Sequence, residues 1–130
     1  MKRSIFKFYF RARRLNDAMD KLILRAACHS ADGTLSGGAY AERIASLVEA
    51  KSELAALWSY LDGVMQGFCL EDRRVLFRYA FFRGRINGLP PQEYNRMRRV
   101  AVRFCRRARM PARFTRAVRI AAEYDALLGR

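Results

Sequence analysis

The sequence predicts an all-α fold, a long antiparallel helical hairpin followed by a C-terminal lobe of three basic helices. Two observations carry that expectation. Apolar residues recur at alternating steps of three and four along most of the chain, the spacing of one helix face. No segment shows the period-two alternation of a half-buried strand. At 130 residues and 52% hydrophobic content, the chain suffices for one compact unit with a core.

The first helix is expected over about residues 3–28, where Ile5, Phe8, Ala12, Leu15, Met19, Leu22 and Ala26 form a single seam without a helix breaker. The polar, glycine-bearing stretch from His29 to Gly38 reads as a loop. A second seam follows through Tyr40, Ile44, Leu47, Leu54, Trp58, Leu61, Met65 and Phe68, with Lys51 as its one polar interruption. Two such helices of similar length, joined by a short loop, bury their stripes by packing antiparallel. Val48, Leu57 and Val64 widen the second stripe toward a third element.

The third helix is placed at about 70–83. Glu71 and Asp72 complement the dipole at its start, and Val75, Leu76, Tyr79 and Phe82 mark its apolar face. Gly84 to Gly88 reads as a turn, and Pro90-Pro91 suits the start of a fourth helix. Tyr94, Met97, Ala101, Phe104 and Ala108 give that helix an apolar face to about residue 108. Met110-Pro111 breaks it, and a fifth helix carries Phe114, Val118, Ala121 and Leu128. Residues 1–69 thus form a hairpin for scaffolding or interaction, and 70–130 a basic helical lobe for nucleic-acid binding, the two making one compact unit.

Charge is the most informative feature. There are 26 basic residues against 12 acidic ones, a formal net charge of +14. Only Lys2, Lys7, Lys21 and Lys51 are lysine; the other 22 are arginine. A GC-rich genome accounts for arginine over lysine but not for the surplus, which destabilises a compact state by self-repulsion unless an anion is the working partner. Residues 1–30 carry net +6, residues 31–72 net −5 and residues 73–130 net +13. The two ends are expected to face an anion.

The fourth helix holds Arg96, Arg99, Arg103 and Arg106 in a row, with Arg98, Arg107 and Arg109 beside them, and the fifth adds Arg113, Arg116 and Arg119. Guanidinium groups bind phosphates bidentately, and a helical row presents them at regular intervals. A solvated helix face ordinarily mixes charge signs for i to i+4 pairing. Between Arg96 and Arg119 there is no acidic residue. Lys2, Arg3, Lys7, Arg11, Arg13 and Arg14 form a secondary basic patch. Phe6, Tyr9 and Phe10 interleave with it, off the main seam; such rings more often serve packing or an interface, and where exposed would stack on unpaired bases.

Little points to catalysis. The one histidine, His29, falls in a loop, and Glu42, Glu49, Glu53 and Asp62 occupy positions of the second helix expected to be solvated. No phosphate-binding glycine loop, nucleophile elbow or paired-acid cluster is evident, so neither catalytic residues, nor a cofactor, nor a metal is expected. A two-metal nuclease needs carboxylates beside its arginines, which the C-terminal sequence lacks. Cys28, Cys69 and Cys105 are widely spaced and odd in number, as for reduced, mostly buried thiols in a cytoplasmic protein. Ile5–Phe10 is short and broken by Lys7, so no signal peptide is read there, and no run approaches the ~18 apolar residues of a membrane span.

Residues 39–83 resemble a group of phage and prophage transcription regulators, in which a helical hairpin precedes a sigma region-four-like helix-turn-helix. The resemblance is carried by Ala39-Tyr40-Ala41-Glu42-Arg43-Ile44, the helix through Lys51 and Leu61, and the helix from Leu70 to Tyr79 with Val75, Arg78 and Tyr79 in its closing places. Arg96–Ala108 is similar in character to that family's basic recognition helix. Where such proteins carry a short first helix-turn-helix element, this chain has Gly84-Arg-Ile-Asn-Gly-Leu-Pro-Pro91. The resemblance therefore implies a degenerate motif and a DNA-linked role, with DNA favoured over RNA, but not standard major-groove docking.

The expected function is that of a non-enzymatic nucleic-acid-binding protein, a phage-type or mobile-element transcription regulator gripping phosphate backbone with its arginine-rich helices. The hairpin's leftover apolar surface would serve a homodimer or a protein partner. The competing expectation is a protein-interaction module or inhibitor, whose basic face docks an acidic partner or a host defence nucleoprotein complex. A third is binding of RNA or single strands through Phe6, Tyr9 and Phe10.

Overall fold

A computed structural model describes residues 3–31, 37–85 and 88–128. All regular structure in them is helical: α1 (Arg3–Ala31), α2 (Gly37–Met65), α3 (Leu70–Phe81), α4 (Pro91–Ala108) and α5 (Thr115–Leu128), with a 3₁₀ turn at Ala112–Phe114 leading into α5. The expected loop from His29 to Gly38 is shorter than read, because α1 runs to Ala31 and α2 begins at Gly37. The backbone of His29 therefore belongs to the last turn of α1; residues 32–36 lie outside the described residues.

α1 and α2 pack as the antiparallel hairpin that their seams require. Trp58 Nε1 donates to the Tyr9 carbonyl at 3.2 Å, and about three turns further along α1 Lys51 Nζ meets Asp20 Oδ1 at 2.5 Å. Lys51, the polar interruption of the second seam, is thus answered by a carboxylate from the facing helix. Ile5, Phe8, Leu15, Met19 and Ala26 are buried from α1, and Leu47, Leu54, Leu57, Leu61 and Met65 from α2. Val48, expected to widen the buried stripe, is 51% exposed instead.

The expected three-helix lobe takes a different form. α5 packs against α1 and α2, while α3 packs against α1 and α4, and α4 also touches α2. Phe114, Ala117, Ile120 and Ala121 join the same core as the hairpin residues and as Leu76 and Phe104. The physical reason is the leftover apolar width of α2: Leu57 and its neighbours need a third helix, and α5 supplies it. Phe114 lies against Tyr60, and Arg116 reaches back to Glu49 and Glu53. These contacts set α5 antiparallel to α2. Helices α3 and α4 close one end of this three-helix bundle.

The helix ends near that closure are tied by distant residues. Cys69 caps the start of α3 through Sγ, which accepts from the Asp72 amide at 3.5 Å. Arg3, at the start of α1, satisfies the carbonyls at the end of α3: Nε donates to Tyr79 at 3.0 Å and Nη2 to Phe82 at 2.7 Å. At the end of α4, Arg109 takes a left-handed conformation with φ 38°, and the Tyr60 hydroxyl donates to the Ala108 carbonyl. Pro111 then prevents continuation. Cys28 and Cys69 are exposed and Cys105 half-buried, so the expectation of mostly buried thiols is not met.

Candidate nucleic-acid interface

The amphipathic character of α4 places its arginines. Met97, Val100, Ala101, Phe104 and Ala108 face the core, and the intervening positions project outward. Arg96, Arg98, Arg99, Arg103, Arg106, Arg107 and Arg109 are all exposed, as are Arg113, Arg116 and Arg119 beyond the helix break. Exposure alone does not make them equivalent.

Several are occupied by groups from elsewhere in the chain. Arg96 pairs with Glu71 at 2.5 Å, and Arg103 with Asp72. Arg107 donates to the Gly67 carbonyl at 3.0 Å and lies 4.8 Å above the Phe68 ring. On α5, Arg116 is shared between Glu49 and Glu53 at 3.3 and 3.4 Å, and Arg113 covers Phe114 at 4.8 Å. The stretch from Arg96 to Arg119 holds no acid of its own, yet α2 and α3 supply carboxylates to it. This corrects the expectation of solvated acids on α2 for Glu53 and Asp62, while Glu42 and Glu49 are exposed as expected. Glu53 is half-buried against Arg116, and Asp62 accepts the Tyr9 hydroxyl at 2.6 Å.

What stays open is a narrower surface. The side chains of Arg98, Arg99 and Arg106, and likewise of Arg109 and Arg119, have no carboxylate or carbonyl partner among the described residues, and the first three lie together on α4. Arg98 and Arg106 stand eight residues apart, about 12 Å along the helix axis by its rise, with the exposed Val102 midway. On one side of that ridge lies a groove formed by Asn95, Arg98, Arg99, Val102, Arg103 and Arg106. On the other, a cleft of about 930 Å³ runs between α4 and the α3–α4 turn. Arg3, Arg85, Arg98 and Arg106 line it together with Tyr79, Tyr94 and Cys105, and no carboxylate does. Arg85, Tyr79 and Tyr94 were not among the sequence candidates. Arg85 follows Gly84, whose φ of +102° turns the chain back toward α4.

The residues of the secondary basic patch differ in exposure and in what they contact. Arg3 is half-buried and serves α3, and Arg11 lies 4.8 Å over the Phe81 ring. Lys7 is half-buried, Arg13 and Arg14 are exposed, and Lys2 lies outside the described residues. The interleaved aromatics are packing groups. Phe6 is 1% exposed, wedged between Tyr79 and Phe104 with ring centroids 5.6 and 5.2 Å away. Tyr9 lies parallel to Trp58, and Phe10 meets Phe77 edge-on. They are off the hairpin seam because they face α3 and α4, or line the hairpin's outer groove, and so Phe6 offers no ring to a base.

Between Phe81 and Pro91 the described residues hold no α-helix, so no first helix-turn-helix element of ordinary length is present there; residues 86 and 87 lie outside the described residues. Among the described residues no group of three or more His, Cys, Asp or Glu side chains is placed to hold a metal ion. No helix among them is long and apolar enough to cross a membrane. No family model matches the chain, and neither does any curated protein or solved structure.

Proposed function

We propose that the chain is a non-enzymatic nucleic-acid-binding protein that grips the phosphate backbone with α4. The observation that carries this reading is the set Arg98, Arg99 and Arg106: exposed and without acidic partners among the described residues, with Arg98 and Arg106 lining two grooves and Arg99 one of them, and no described carboxylate lining either. Phosphate contacts of this kind supply affinity and position without reading sequence. The resemblance of residues 39–83 to phage-type regulators extends the reading to DNA and to transcription control. The hairpin, with Leu24 64% and Val48 51% exposed, then offers a surface to a second copy or a protein partner.

The test is fluorescence anisotropy with a labelled duplex over a salt series. Binding whose logarithm falls linearly with the logarithm of salt, as counterion release requires, is the expected result. Absence of binding to DNA and RNA at low salt overturns the reading and favours an acidic protein partner for the same face.

A further inference from the structure

We infer that the cleft between α4 and the α3–α4 turn receives an unpaired nucleotide, so that the protein prefers strand ends and overhangs to continuous duplex. The inference rests on the nucleic-acid reading above and names the part of the polymer that this site takes.

A phosphate row alone needs only a convex helix face. The ridge of Arg98 and Arg106 instead borders a recess of about 930 Å³ with two half-buried tyrosines, Tyr79 and Tyr94, in its wall. A recess of that size falls in the range that encloses small ligands. Bases inside a duplex are stacked on one another and cannot enter it; an unpaired base can, and its ring faces stack on aromatic or guanidinium planes. Val102, Ala101 and Cys105 add apolar lining between Arg98 and Arg106. The two arginines therefore bracket an apolar step on the cleft wall.

Two features make the recess selective. Its charged lining is entirely cationic, with Arg3 and Arg85 opposite the α4 pair and no carboxylate to compete. Arg3 is already held by the carbonyls of Tyr79, Ala80 and Phe82, so its charge is fixed in place before any ligand arrives. A preorganised cation costs little ordering entropy on binding.

The experiment compares three probes by anisotropy at one salt concentration: a blunt duplex, the same duplex with a short unpaired overhang, and the same duplex with an abasic overhang. The abasic strand keeps every phosphate and removes the bases. The expected result is an overhang preference of about 5- to 150-fold over both other probes, the range for one stacked base. Tyr94→Ala and, independently, Tyr94→Leu, which keeps the bulk and removes the ring, abolish the preference while duplex binding persists, and Tyr94→Phe keeps it. Circular dichroism confirms folding, and if Tyr94→Ala fails to fold, Tyr94→Leu decides. Equal affinity for the base-bearing and abasic overhangs, with duplex binding intact, overturns this inference alone. No binding to any probe overturns the function proposed above, and this inference with it.

Discussion

Arg103 of α4 is ion-paired with Asp72 in the first turn of α3, and its guanidinium lies 5.0 Å over the Phe68 ring. The pair separates two uses of arginine on one helix face. Asp72, only 21% exposed on its side chain, holds Arg103 against the protein, while Arg99, one turn earlier, has no such partner. Asp72→Asn is expected to cost about 0.5–1.5 kcal/mol of stability, through the lost pair and the lost favourable charge at the helix start. The same change frees Arg103 and removes a negative charge beside the ridge, so duplex affinity rises a few-fold. Urea denaturation and anisotropy on the one variant check both signs.

Arg3 links the first turn of α1 to the last turn of α3 by three donations to backbone carbonyls. Arg3→Met keeps the aliphatic stem and leaves those acceptors without a charged donor. A loss of about 1–3 kcal/mol is expected, the range for hydrogen bonds to charged groups. Faster amide exchange confined to the packing around the end of α3 identifies the cause.

Phe6 is the aromatic whose role changes most between sequence and structure. Buried among Tyr79 and Phe104, it is expected to cost about 3–5 kcal/mol when replaced by alanine, enough to leave much of the population unfolded. Phe77→Ala, at a ring 51% exposed, is expected to cost far less. Equal midpoints for the two variants in chemical denaturation contradict this placement.

Tyr9 and Tyr79 both have phenol pKa values raised above the ordinary tyrosine value, in each case mainly by burial; at Tyr9 the hydrogen bond to Asp62 adds to the effect. The folded state therefore favours the protonated phenol. Its contribution to stability is fully present below about pH 10 and is lost as pH rises from there through the raised folded values. In an ultraviolet titration these two are expected to ionise above the ordinary tyrosine value, as the fold gives way. Tyr9→Phe flattens part of the alkaline slope and costs about 1 kcal/mol at neutral pH. Ionisation of Tyr9 near pH 10 with the fold still intact contradicts the expectation.

The helices were legible because their signal is local. The seam from Ile5 to Ala26, the proline at the start of α4 and the break at Pro111 each act within a few residues, and the observed bounds differ by about a turn. Long-range pairing left no such trace. Nothing near Arg96, Arg103 or Arg116 in the sequence reveals that Glu71, Asp72, Glu49 and Glu53 fold onto them. A helix wheel shows Phe6 off the hairpin seam but not that a second pair of helices covers it. The surplus width of α2 called for a third partner, and its identity as α5 depended on the path of the chain after Pro111. The cleft combines Arg3, Arg85 and α4, which tertiary folding alone brings together.

The most direct measurement is the salt slope of duplex binding for two triple variants that lower the net charge equally. One is Arg98→Ala, Arg99→Ala and Arg106→Ala on α4; the other is Arg13→Ala, Arg14→Ala and Arg25→Ala at exposed positions of α1. Each phosphate contact contributes about 0.9 to the slope, so loss of three contacts flattens it by about 2.7. That flattening for the α4 variant, with the α1 variant close to the parent, is the expected result. Equal slopes for the two variants would mean that net charge rather than the α4 surface governs binding, and would contradict the assignment of the interface.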